Sequence, residues 1–261
     1  MDKLIIDGNK KLFGNIPISG SKNAVLPIMA ATIIEPGIYT LKNVPDLKDT
    51  RTMIKLLEII GSKINFIDNQ LTIDSRDCNN PVAPYDLVKT MRASFYVLGP
   101  LLSRFKKATV SLPGGCAWGP RPVDFHLEAL STMGGKVTLD YGNIMIRGDL
   151  KGRNVKFEKI SVGATGNIIM AAVKAKGTTV ISNASVEPEI INLVSFLNDL
   201  GASIKVFSND NRYVIDGVDK LENICECQII PDRIEAGTYM IAASLAGGEI
   251  TLENICIEHL K

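Results

Sequence analysis

Apolar positions recur along the chain with two periods, and the alternation between them repeats. Met53, Leu56, Leu57 and Ile60 are spaced i, i+3, i+4, i+7, the stripe of a helix with one buried face. Ile190, Leu193, Val194, Leu197 and Leu200 form the same stripe, and Val123, Leu127 and Leu130 a shorter one. Each runs into a glycine, Gly61, Gly134 or Gly201, a cheap left-handed helix stop. Short alternating strands are expected next: 63–66 with 71–73, 136–139 with 144–146, and 204–206 with 213–215. A second helix class, over 24–33, 91–98, 162–173 and 234–245, is apolar or small nearly all round, which predicts burial on every side.

These patterns belong to a repeat. The run from Gly37 to Asn43 resembles those from Gly177 to Asn183 and from Gly248 to Asn254, with glycine six positions before asparagine each time. The three glycines stand 140 and then 71 residues apart, and a weaker copy, 107–112, lies midway in the longer gap. Each unit reads helix, strand, amphipathic helix, strand, strand, so the fold class is α/β, with buried helices inside and sheets around them. Three units are complete. The fourth reaches Lys261 after its helix and first strand, which reads as a chain that stops in mid-fold or as a natural half-unit cap.

Composition changes this picture little. The chain has 261 residues, 46% hydrophobic and 22% charged, with a net charge of +1. That balance gives no reason to expect nucleic acid or an anionic membrane as partner. No apolar run is long enough for a spanning helix, and Met1 to Gly8 lacks the apolar stretch of a signal peptide, so a cytoplasmic protein is expected. Five cysteines and two widely separated histidines, His126 and His259, suggest neither a disulfide framework nor a metal site. No P-loop, Rossmann fingerprint or Ser-His-Asp arrangement is present, and no cofactor is expected.

The candidate chemistry sits where the units open. In the second unit the short link becomes Pro113-Gly114-Gly115-Cys116-Ala117-Trp118-Gly119-Pro120-Arg121-Pro122. Glycine-rich loops approach ligands closely, and a cysteine near a cation can gain thiolate character. The loop alone fits a reactive thiol and a small buried cysteine equally well. Lys22, in Gly20-Ser21-Lys22-Asn23, opens a buried helix. It suits an anion at the helix N-terminus and, equally, a solvated loop. Arg92, the stretch 161–165 and the stretch 231–238 open the other three buried helices with polar or small residues. If the four run parallel, their positive ends converge and favour a ligand rich in phosphate and carboxylate.

These stretches, with 84–94, Leu112 to Cys116, Gly119 to Asp124 and Pro231 to Glu235, resemble the bacterial UDP-N-acetylglucosamine 1-carboxyvinyltransferase family along the chain from Leu4 onward. The resemblance implies an enolpyruvyl-transferase-like inside-out α/β barrel. One barrel domain would span 22–229; residues 1–21 with 230–261 would belong to a second, incomplete barrel. It implies transfer of the enolpyruvyl group of phosphoenolpyruvate to the 3′-hydroxyl of UDP-N-acetylglucosamine with release of phosphate, the first committed step of peptidoglycan synthesis. Cys116 would be the general acid and the target of fosfomycin. Lys22 and Arg121 would hold the phosphoenolpyruvate phosphate, and Asn23 the amino sugar. Arg92, Arg121, Pro122, Val123, Asp124 and Phe125 would cradle the uridine end, and Lys159, Ser161, Val162 and Gly163 would line the uridine-diphosphate site. The family's base and further arginines would lie beyond Lys261, so this chain alone is expected to have little or no turnover. Self-association through the incomplete second barrel is also expected. The competing expectations are a non-catalytic UDP-sugar-binding fragment and the shikimate-pathway relative, in which the cysteine loop is not expected.

Overall fold

The repeat is realised as three similar sheets around buried helices. A computed structural model of the chain describes residues 3, 5, 7–8, 10–112, 123–222 and 224–261. After strand β1 (Leu12–Pro17), the first unit is α1 (Lys22–Ala31), β2 (Ile38–Lys42), α2 (Lys48–Ile60), β3 (Lys63–Ile67) and β4 (Gln70–Asp74). The second opens with β5 (Val82–Ala83), α3 (Tyr85–Val88) and a 3-10 turn, Arg92–Val97. It continues as α4 (Leu98–Phe105), β6 (Lys107–Ser111), α5 (Asp124–Thr132), β7 (Lys136–Asp140) and β8 (Asn143–Arg147). The third is β9 (Asn154–Lys156), α6 (Val162–Ala172), β10 (Thr178–Ser182), α7 (Pro188–Asp199), β11 (Ser203–Phe207) and β12 (Arg212–Asp216), followed by β13 (Ile224–Gln228). The last elements are α8 (Arg233–Ala246) and β14 (Gly248–Glu253).

Each four-stranded sheet has the same order: β13-β2-β4-β3, β5-β6-β8-β7 and β9-β10-β12-β11. The first strand of each pairs parallel to the second, and the other pairings are antiparallel. Because β13 follows the third unit yet pairs with β2 of the first, the units close on one another. Strand β1 pairs parallel to β14 in the same relation. The parallel strands β5, β9 and β13 escape the hydrophobic pattern. β5 and β9 hold two and three residues, too few for a period to stand out, and β13 carries the mixed run Ile-Cys-Glu-Cys-Gln.

The repeated asparagine has a structural cause. Asn43, Asn183 and Asn254 leave their strands with φ of 59°, 54° and 54°, a left-handed conformation that asparagine tolerates better than most residues. Each side-chain amide donates to a carbonyl just past the neighbouring parallel strand: Asn43 to Ile229 at 2.9 Å, Asn183 to Phe157 at 2.9 Å, Asn254 to Ile18 at 2.6 Å. The residue therefore turns the chain and staples two strand ends. Asn183→Ala loses the bond and keeps the strained backbone. It should lower the unfolding free energy by about 2 kcal/mol, read as a lower urea midpoint at unchanged slope.

The expected glycine stops hold: Gly61, Gly134 and Gly201 have φ of 115°, 102° and 90°. Helices α1 and α6 are buried along almost their whole length. The second inner helix differs from expectation. It is a 3-10 turn that passes into α4 and ends at Phe105, beyond the predicted 98. Gly99-Pro100 reads as a stop in the sequence, yet proline in a first helical turn forfeits no internal bond. Helix α8 also departs from the all-round burial its composition predicts. Of its residues only Ala236 is buried, while Ile241 is 64% and Leu245 83% exposed. No helix among the described residues is long and apolar enough to cross a membrane.

Candidate active site

Helix beginnings set the position of the site. Lys22 and Asn23 start α1, which leaves Gly20 pressed against the Asn43 backbone. A Cβ on Gly20 would lie 1.7 Å from that carbonyl oxygen, so only glycine permits this approach. Arg92 begins the 3-10 turn, Val123 is the residue before α5, and Gly163 is in the first turn of α6. These five residues line one cleft of about 320 Å³. A neighbouring cleft of about 270 Å³ shares Asn23 with it and adds Val162 and, from α8, Arg233. The N-terminal ends of all four inner helices therefore meet in one region, where their dipoles favour an anion; part of that potential is already met by Asp232, which accepts from the Lys22, Ile234 and Glu235 N–H groups.

Other expected residues stand differently. Ser161 caps α6, its Oγ accepting from the Ala164 N–H at 3.3 Å. Asp124 and Phe125 begin α5 but do not line the cleft, and the Phe125 ring packs near Phe157 with centroids 6.4 Å apart. Lys159 is exposed and lines neither cleft. Cys116, Arg121 and Pro122 lie outside the described residues.

Several residues enter that the sequence did not single out. Asp49 of α2 pairs with Lys22, Nζ to carboxylate 3.3 Å, with both side chains about a third or more exposed. Such a pair contributes roughly 0–1 kcal/mol, so an incoming phosphate can replace it. Tyr96 and His126 also line the cleft. Burial raises the Tyr96 phenol well above its usual range. Burial, helped by the charge of Arg92, holds the His126 imidazole down to about 3, so the ring is neutral near pH 7. In the second cleft Arg233 donates to Glu189 at 3.0 Å and to Glu187 at 2.5 Å. Glu189 is buried although it precedes the apolar stripe that opens at Ile190, one residue after the start of α7 at Pro188. Among the described residues no cluster of ligating side chains could hold a metal.

The sequence profile of the family described as EPSP synthase (3-phosphoshikimate 1-carboxyvinyltransferase) matches residues 6–261. Among curated proteins, the UDP-N-acetylglucosamine 1-carboxyvinyltransferase of Wolbachia sp. subsp. Drosophila simulans (strain wRi) is 49% identical over 271 aligned residues. That of Chlorobaculum parvum (strain DSM 263 / NCIMB 8327) is 50% identical over 264. Both alignments take in 100% of this chain but only 63% and 62% of the relatives, so the chain spans less than two thirds of their length. Among solved structures, the enolpyruvyl transferase NikO from Streptomyces tendae superposes with a TM-score of 0.81 at 23% identity, over 90% of this chain and 56% of that one. EPSP synthase from Acinetobacter baumannii gives 0.75 at 18%, over 96% and 57%. These structures share the fold, a mixed α/β architecture consistent with the inside-out barrel that the resemblance implies. The match of the profile across nearly the whole chain places it in a family: the chain belongs to the EPSP synthase (3-phosphoshikimate 1-carboxyvinyltransferase) family.

Proposed function

We propose that the chain carries the UDP-N-acetylglucosamine site and the acid-bearing loop of a cytoplasmic enolpyruvyl transferase. That enzyme moves the enolpyruvyl group of phosphoenolpyruvate to the sugar 3′-hydroxyl in peptidoglycan synthesis. The observation that carries this reading is the convergence on one cleft of Lys22, Asn23, Arg92, Val123 and Gly163, drawn from four parts of the chain and each expected at the substrates. Residues 22–229 would form the complete barrel, with 1–21 and 230–261 in the other domain. The exposed apolar face of α8 would favour self-association of the isolated chain.

In this reading the Cys116 thiol gives its proton to the methylene carbon of phosphoenolpyruvate. Carbon 2 then becomes electron-poor and bonds to the sugar 3′-oxygen, whose proton would pass to the base that the resemblance implies. Loss of phosphate and of a methyl proton restores the double bond in the product. Lys22, released from Asp49, and Arg121 stabilise the charge gathering on the phosphate. The related shikimate-pathway chemistry is disfavoured: the relatives that act on the amino sugar by name are 47–50% identical, against 18% for the EPSP synthase structure.

A hydrogen-exchange footprint tests the assignment. UDP-N-acetylglucosamine is expected to slow amide exchange at the starts of α1 and α6 and in the turn 92–97, leaving the β3–β4 edge unchanged. Protection confined to other elements would refute the site.

A further inference from the structure

His126 is 4% exposed yet lines the cleft, and its surroundings decide where its proton sits. Asn167 of α6, fully buried, is the arbiter. The Gly99 N–H lies 2.7 Å from Oδ1 of Asn167 and can only donate. The Phe95 carbonyl lies 2.9 Å from Nδ2 and can only accept. The amide orientation is therefore fixed by two backbone groups. The remaining Nδ2 hydrogen is left for His126 Nδ1 at 3.2 Å, which must be the bare ring nitrogen. Gly99 is needed for this packing, since a Cβ there would lie 2.4 Å from the Asn167 carbonyl oxygen and 2.8 Å from Oδ1. The Phe95 ring stands edge-on to the imidazole, centroids 4.9 Å apart, and holds its plane.

A neutral imidazole with a bare Nδ1 carries its hydrogen on Nε2. Among the described residues nothing pairs with that nitrogen, and it faces the first turn of α6, where a Cβ built on Gly163 would lie 3.5 Å from both Nε2 and Cε1. We propose that His126 presents a fixed Nε2–H donor to an acceptor oxygen of the cleft's ligand, with Asn167 as the positioning residue that sets the tautomer. A donor beside the N–H groups of a helix start calls for an oxygen acceptor, such as a phosphate or sugar oxygen. The ligand half of this inference rests on the UDP-sugar reading above.

Two substitutions separate the donor from mere packing. Both His126→Gln and His126→Phe lose the Nδ1 contact with Asn167, but the glutamine amide can place an N–H near the Nε2 position. In titrations of the whole chain with UDP-N-acetylglucosamine, His126→Phe is expected to weaken binding about ten- to hundred-fold, and His126→Gln no more than about threefold. Equal affinities for the two variants would overturn the donor role. Nitrogen-15 spectra of the unaltered chain are expected to show the Nε2–H tautomer, and Asn167→Asp, which cannot donate to Nδ1, should move the proton. A parent spectrum with the proton on Nδ1 would overturn the lock. If the parent shows the Nε2–H tautomer yet does not bind UDP-N-acetylglucosamine, the substrate reading fails, and the ligand half of the inference with it.

Discussion

Fosfomycin is expected to add one inhibitor mass to the chain, at Cys116, and Cys116→Ala should abolish the labelling. In the whole protein the same substitution should cost about 10²- to 10⁴-fold in turnover, the range for a lost general acid. Reactivity of a cysteine follows thiolate character and access. In the proposed reading Arg121, five residues on in the sequence, would supply the positive charge that favours the thiolate. Among the described residues the competing thiols are less suited. Cys78 is 6% exposed and in contact with Ser62 Oγ at 3.1 Å, and burial raises its pKa. Cys227 is 8% exposed. Cys256 is half-buried and serves as the internal control. Peptide mapping that found the label on Cys256, or on Cys116 and Cys78 alike, would contradict the assigned chemistry.

Arg233→Met is expected to lower the unfolding free energy by about 2–3 kcal/mol. The Arg233 guanidinium reaches Glu189 through Nε at 3.0 Å and Glu187 through a terminal nitrogen at 2.5 Å. The Glu189 side chain is only 4% exposed, whereas those of Arg233 and Glu187 are 31% and 42% exposed. Breaking a buried pair from one side costs about 3–5 kcal/mol because the other charge is stranded; the solvent reaching Arg233 reduces that figure. Glu187→Gln should cost less than about 1 kcal/mol, as expected for an exposed partner. Urea unfolding of the two variants checks the order of effects. Since Arg233 ties the first turn of α8 to α7, exchange of the α8 amides should also quicken in Arg233→Met. Equal costs for the two substitutions would show that Glu189 is not the charge being stranded.

The repeat and its helix stops could be read from the chain because each rests on local chemistry: a stripe of apolar residues, a glycine at positive φ, an asparagine at a left-handed turn. Pairing between distant segments could not. Nothing local in Val82-Ala83 announces β5, and β13 pairs with β2 across most of the chain. Helix α4 runs through Gly99-Pro100 because the proline falls where no internal bond is lost. The site divides along the same line. Lys22, Asn23, Arg92 and Gly163 were readable because helix starts are marked in sequence. Asp49, Tyr96 and His126 were not, since α2, the interior of the 92–97 turn and α5 reach the cleft only through packing. Phe125 and Lys159, expected from the resemblance at the substrate, do not line the cleft among the described residues, and the Phe125 ring packs near Phe157.

The central claim is that the region where the four helix starts meet takes a UDP-amino sugar rather than a phosphorylated shikimate. Calorimetric titration of the chain with the two ligands measures this directly. Saturable binding of UDP-N-acetylglucosamine at one site per chain, with no heat from shikimate 3-phosphate, is the predicted result. Saturable binding of shikimate 3-phosphate with none of the UDP-sugar would contradict it.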